Sequence, residues 1–216
     1  MENKISEIDE LLNGESGELT AKQKRIVAAA VEMFSKKGFS ASSTSEIARH
    51  AGVAEGTIFR HYKTKKELLL AIVTPVITKL VAPFIVKDLD KVLNEEYEHY
   101  EDFLEAMVRN RQAFIRKHFP IIRILVQEIP FHEELRDQFI EHVAKDLYKR
   151  FEKIVVHFQN KGELIQLPPS SVVRLSITSI IGFFLARYIF LPESEWDEEN
   201  EINITIQFIM NGFKAR

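Results

Sequence analysis

Cysteine is absent from all 216 residues. That excludes disulfide staples, cysteine-ligated zinc and a thiol nucleophile, and it suits a cytoplasmic protein. No glycine-rich phosphate loop is visible, nor a serine–histidine–aspartate signature. The run HEELR at His132 to Arg136 opens like a zinc-protease motif, but Arg136 stands where the second histidine ligand belongs. Glu128 with His132, and His142 with Asp146, have the spacing of a helical metal pair. Solvated side-chain pairs at this spacing are far commoner. Neither an enzyme, a metal nor a cofactor is therefore expected. The first 19 residues are acidic and hold no long apolar run, so a secretory signal is not expected either. There is no repeat and no low-complexity tract.

What is present begins with length and charge. The chain is long enough to bury a core, and 45% of it is hydrophobic. The formal net charge is -3, but it is unevenly placed. Residues 1–19 carry -5, residues 20–66 carry +7, and residues 67–216 carry -5. A basic block in an acidic chain points to a polyanionic partner for that block alone. The blander reading is a solvated charged face.

Helical patterns dominate. Between Thr20 and Lys37, Ile26, Ala30, Met33 and Phe34 share one face, with Thr20 as N-cap and Gly38 ending the helix in a left-handed turn. Ser43 or Thr44 caps a short helix with Ile47, Ala48 and Ala51 inward, closed by Gly52. A third short helix covers Glu55 to His61. Thr64 caps a fourth, which Pro75 and Pro83 kink or interrupt. Further on, Pro120 and Pro130 bracket a short apolar helix, and His132 to Lys161 reads as one long amphipathic helix. Val172 to Leu191 is about long enough to span a bilayer, but Arg174 and Arg187 are costly there, so a helix buried on most sides by protein is expected. Residues 202–208 fit both a strand and a helix; a lone strand would have no partner, so a helix is expected.

Three short helices with a glycine-marked turn in a basic block fit a helix-turn-helix. The stretch GVAEGTIFRHYKTKKELL, preceded by STSEIARHA and MFSKKGF, resembles the DNA-binding domain of the TetR family of bacterial transcriptional regulators. The matching positions are Thr44, Ile47-Ala48, Ala51-Gly52-Val53, Gly56, His61-Tyr62 and Thr64 to Leu68. The resemblance implies an all-α fold of about nine helices, a three-helix helix-turn-helix domain followed by a larger ligand-binding and dimerisation domain. Boundaries are set at 1–19 for an acidic arm, 20–66 for the DNA-binding domain and 67–216 for the rest.

The resemblance also implies a contact set. Thr44 matches a phosphate contact, Gly56 and Thr57 the surface that lies against DNA, and Arg60 a base-edge or phosphate contact. His61 matches a backbone contact, Tyr62 a packing aromatic, and Lys65 a lysine that pairs with phosphate. Three positions depart from the pattern. Phe59 replaces the usual tyrosine and loses a hydroxyl. Ala54 replaces a capping serine or threonine. Glu55 is an acid near the groove, where it has two readings: acceptor from a cytosine N4 amino group, or partner of its own helix N-terminus.

For the acidic domain the resemblance implies an apolar effector cavity, and thirteen of the sixteen phenylalanines lie from Phe84 to Phe213. Candidate lining residues are Phe103, Met107, Arg109, Phe114, Arg123, Gln127, Phe151 and Tyr188. Ordinary core packing is the bland alternative for each. Small residues at Thr178, Ser179, Gly182 and Ala186 suit close helix approach, and the resemblance implies a homodimer through the last two helices, about 170–190 and 200–214, which double-stranded, palindromic operator DNA also demands. The functional expectation is a repressor released from its operator by a small, largely apolar effector. An activator, or a nonspecific or architectural DNA-binding protein, is the rival.

Overall fold

Local signals decide where the helices begin and end. The computed structural model describes residues 20–75, 89 and 92–215; the acidic arm and Pro83 lie outside them. Among the described residues every named element is helical. Helix α1 spans Ala21–Lys37, and its Thr20 cap forms a full capping box with Gln23. Gly38 ends it at φ 82°, ψ 162°, which is not the expected left-handed turn but a region essentially reserved for glycine. Helix α2 spans Thr44–Ala51. Ser43, not Thr44, is its cap, in a capping box with Glu46, and Gly52 closes it in a true left-handed conformation at φ 64°, ψ 41°. Helix α3 covers Glu55–His61 and α4 covers Lys65–Pro75. The Thr64 hydroxyl accepts the Glu67 N–H at 3.0 Å, as a cap should.

The next helix runs further than the sequence suggests. Helix α5 spans Tyr100–Glu128 straight through Pro120, with a kink at His118 (φ -113°, ψ 23°) where the proline ring and missing N–H disturb the preceding turn. A 3-10 turn, Ile129–Phe131, leads to α6, Glu133–Phe139. The long amphipathic helix expected from His132 to Lys161 is present as an uninterrupted helical run over Glu133–Asn160, made of α6, a π turn at Ile140–Ala144 and α7 at Lys145–Asn160. Helix α8 spans Pro169–Leu185 and passes into a second π turn, Ala186–Phe190. Helix α9 spans Glu198–Phe213, capped by Asp197, so residues 202–208 are helical.

Contacts divide the described chain into two units. The first joins residues 20–75 with 118–143, so the end of α5 and all of α6 belong with the basic block. Its core is Ile26, Ala30, Phe34, Ile47, Ile58, Leu68, Leu69, Ile72, Ile124 and Leu135, each nearly or fully inaccessible. The second unit comprises 89, 92–117 and 144–215. Tyr100, Phe103, Phe151 and Phe158 form its aromatic cluster, with ring centroids 5.5 to 5.9 Å apart.

Pro169–Phe190 is long and apolar enough to cross a membrane by length and composition. It is not buried on most sides. Val172, Val173, Ser176, Ile180, Phe183 and Phe184 face inward, while Leu175, Thr178, Ile181 and Gly182 form an exposed stripe.

Candidate nucleic-acid interface

The candidate recognition surface is built by α2, the Gly52 turn and α3. Helix α2 packs on both α1 and α3. The Val53 N–H reaches back to the Ala48 carbonyl at 3.0 Å, and the Gly52 N–H bonds Arg49 O, which fixes the turn. Ile58 is fully buried and Tyr62 nearly so, and burial raises the Tyr62 hydroxyl pKa above its ordinary value. Tyr62 is therefore a packing aromatic in the free protein. Residues on the opposite side of α3 face outward: Phe59 is 45% exposed, and Arg60 is exposed with no side-chain partner among the described residues. Lys22, Arg25, Arg49 and Lys63 are likewise unpartnered among the described residues, so their charge is available to a polyanion.

Gly56 adds a second argument. A Cβ placed there would meet nothing within 4 Å. The protein's own packing does not require a bare backbone at this position, so the space in front of it is open to a partner. Thr57 is half-buried beside it, and His61 is tilted against the Tyr62 ring.

Two expected phosphate ligands have internal partners. The Thr44 hydroxyl donates to a Glu55 carboxylate oxygen at 2.7 Å, which links the first turns of α2 and α3. Glu55 lies in the first turn of α3, at its own helix N-terminus, with its carboxylate accepting from Thr44, and Ala54 makes no side-chain cap hydrogen bond. The Lys65 ammonium donates to the carbonyls of Phe39 at 2.6 Å, Ser42 at 2.8 Å and Ser40 at 3.4 Å, and it lies 4.3 Å from the Phe39 ring centroid.

Sequence reasoning missed the supports of this loop. The Phe39 N–H donates to Glu128 at 3.3 Å, and the His132 ring stands edge-on to the Phe39 ring. Glu128 and His132 pair at 3.3 Å, both largely shielded from water. Lys66 bonds Glu134 at 2.6 Å. Their partners are 68 to 93 positions away in sequence, and no local pattern signals such contacts. Across α1 and α2, the Lys36 ammonium and the His50 ring hold the Glu32 carboxyl down to about 2.

The family model for bacterial regulatory proteins of the tetR family matches residues 26–72, which span α1 through most of α4. An uncharacterised HTH-type transcriptional regulator, YvkB of Bacillus subtilis, is 30% identical over 174 residues, covering 76% of this chain and 82% of the relative. The chain belongs to the TetR family. It is a DNA-binding transcriptional regulator. The fatty acid metabolism regulator protein of Bacillus subtilis is 43% identical over 56 residues, 24% of this chain and 29% of that one. Among solved structures, the fatty acid degradation regulator FadR of Bacillus halodurans superposes with a TM-score of 0.65 at 20% identity, covering 94% of this chain and all of that one, and supports the fold. TetR-family regulators bind DNA and small-molecule effectors and are typically dimers.

The residues expected to line an effector site fall in both units. In the second, Phe103 and Met107 are buried, Phe103 packs edge-on against Phe151, and Phe114 carries the Arg111 guanidinium over its ring at 4.9 Å. Arg109 is at the surface, bonded to Glu105 and Glu199. Tyr188 stacks on Phe184 and accepts from Arg116. Glu198 accepts from Gln112, Arg116 and Arg187; burial raises its pKa, but the two arginines outweigh that and leave it below the usual carboxylate range. Arg123 and Gln127 lie in the first unit, one helical turn apart on α5; Arg123 Nε and Gln127 Oε1 are buried with no hydrogen-bond partner.

Proposed function

We propose that this regulator is a cytoplasmic repressor that binds a palindromic operator as a homodimer and is released by a small, largely apolar effector. The observation that carries the reading is the outward face of α3, where Phe59, open space at Gly56 and unpartnered Arg60 stand together. An exposed arginine at the major groove suits guanine O6 and N7, the commonest specific pairing. Dimerisation through 170–190 and 200–214 is supported by two exposed stripes, Leu175–Thr178–Ile181–Gly182 on α8 and Ile204–Phe208–Gly212 on α9. These are apolar or small, and helices bearing such stripes gain by covering them.

The aromatic-rich interior of the second unit supports an apolar effector. Two relatives are named for fatty acid metabolism, so acyl compounds are the first class to test. The test of the operator is selection of duplex DNA from a random pool, followed by sequencing. The expected result is an inverted repeat whose half-site centres lie about one helical turn, or a multiple of it, apart. Recovered duplexes with no common sequence would count for a nonspecific DNA-binding protein instead. Transcription from the recovered site then separates repressor from activator: repression requires that output rise when the regulator is deleted.

A further inference from the structure

Glu55 is out of place on a surface meant for DNA. It is exposed on the first turn of α3, inside the block that carries +7. Arg49, Arg60 and Lys63 are unpartnered among the described residues, yet none of them pairs with it. Its one bond among the described residues is the 2.7 Å contact from the Thr44 hydroxyl. Thr44 is the first residue of α2, the helix that crosses the DNA backbone in a helix-turn-helix. Helix N-termini and their hydroxyls are where phosphates are held. A carboxylate therefore sits on a donor that a phosphate would use. A bond between exposed groups adds little to folding, because water replaces it readily.

The geometry points to Glu55 as a specificity-determining residue that occupies the Thr44 hydroxyl until a matching base draws it away. A carboxylate accepts hydrogen bonds and donates none, so it cannot bond a phosphate. On a duplex without a suitable base it stays on Thr44, leaves the phosphate one donor short and faces a like charge. On a duplex that presents a cytosine N4 amino group in the major groove, Glu55 gains a donor and Thr44 is released to the phosphate. The two gains arrive together or not at all. Discrimination then comes largely from a penalty on wrong DNA. This inference rests on the DNA-binding reading above and adds to it the residue that rejects nonmatching sites.

The experiment measures fluorescence anisotropy with two duplexes, the one recovered by selection and a scrambled version of it. Wild type is compared with Glu55→Ala, Glu55→Gln, Thr44→Val and the Thr44→Val/Glu55→Ala double variant. Glu55→Ala should bind the scrambled duplex about tenfold tighter, gain little on the selected one, and lose its preference at one C·G pair. Glu55→Gln, which keeps the shape of the side chain, should move in the same direction by less. In the Thr44→Val background the gain should shrink to about twofold or less, since the hydroxyl that Glu55 withholds is gone. The proposal is overturned if neither Glu55 variant tightens binding to the scrambled duplex. It is equally overturned if the full gain persists in Thr44→Val, because that is plain charge repulsion. Wild type that binds neither duplex sinks the DNA-binding reading itself, a separate result that takes this inference with it.

Discussion

Replacing Lys65 by Met separates two roles for one ammonium group. Methionine keeps the unbranched stem beside the Phe39 ring and removes only the charge and its donors. An ammonium has three N–H donors, and here three carbonyls, those of Phe39, Ser42 and Ser40, receive them. The two short bonds, at 2.6 and 2.8 Å, carry most of the energy, and the contact at 3.4 Å is marginal. A hydrogen bond from a charged group contributes about 1.5–3 kcal/mol, and the contact with the Phe39 ring adds about 0.5–1 kcal/mol at a half-exposed site. Water recovers part of this when the donors are lost, so the net cost of Lys65→Met is about 2–4 kcal/mol. For a chain of this size about 1 kcal/mol moves the melting temperature by about 2–4 °C, so a fall of about 10 °C is expected. Far-UV circular dichroism on heating reads this, and anisotropy at several salt concentrations reads DNA binding in parallel. A lysine whose main work is on phosphate would behave differently: the melting temperature would hold, and the salt slope would fall by about one. That pair of results would refute the loop-anchoring argument.

Phe59→Tyr restores a hydroxyl at an exposed position of α3; it should tighten operator binding by about tenfold through one bond to a charged phosphate, without altering the melting temperature. Equal affinity for the two proteins would show that the ring edge does not reach the backbone. Glu32 has a folded pKa of about 2, below its ordinary 4.5, so its pairs with Lys36 and His50 add stability above that ordinary value and lose it as pH falls towards 2. Urea denaturation should therefore show Glu32→Gln less stable by under about 1 kcal/mol at neutral pH, with the gap closing between about pH 4.5 and 2; a constant gap would mean that charge is not its source. Phe208→Glu puts a charge on the exposed stripe of α9, where Phe208 is 71% accessible. Sedimentation at micromolar concentration should show monomers and anisotropy should show lost operator binding, whereas a variant that stays dimeric would move the interface elsewhere.

Sequence disclosed what is decided within a few residues. The Thr20 and Thr64 caps, the Gly52 turn and the apolar face of α1 are local, so spacing was enough to place them. The π turns at 140–144 and 186–190 were not legible, because their side-chain patterns differ little from those of an ordinary helix. Pro120 misled in one respect. A proline removes one N–H and kinks a helix, but α5 is held on both sides of the kink by buried residues, Val108 and Ile124 among them, and continues. The site shows the same division. Arg60 and Gly56 face outward because their positions on a seven-residue helix follow from the burial of Ile58. Lys65 and Thr44 acquired partners 23 to 26 and 11 residues away, and Phe39 drew on Glu128 at a distance of 89. Only folding brings such groups together, so a motif that implied two phosphate ligands could not show them engaged.

Helix α3 has seven residues, no side-chain cap and one buried side chain, Ile58. A segment that short does not hold its own shape in water. Its orientation is inherited from α2 beneath it, and that of α2 from Ile47, Ala48 and Phe34. A methyl group gained or lost at those interior positions can re-aim Arg60 and Phe59 without touching either. Divergence in operator preference among descendants of this protein is then free to arise in its interior, and comparing only the outward residues would overlook the changes that caused it.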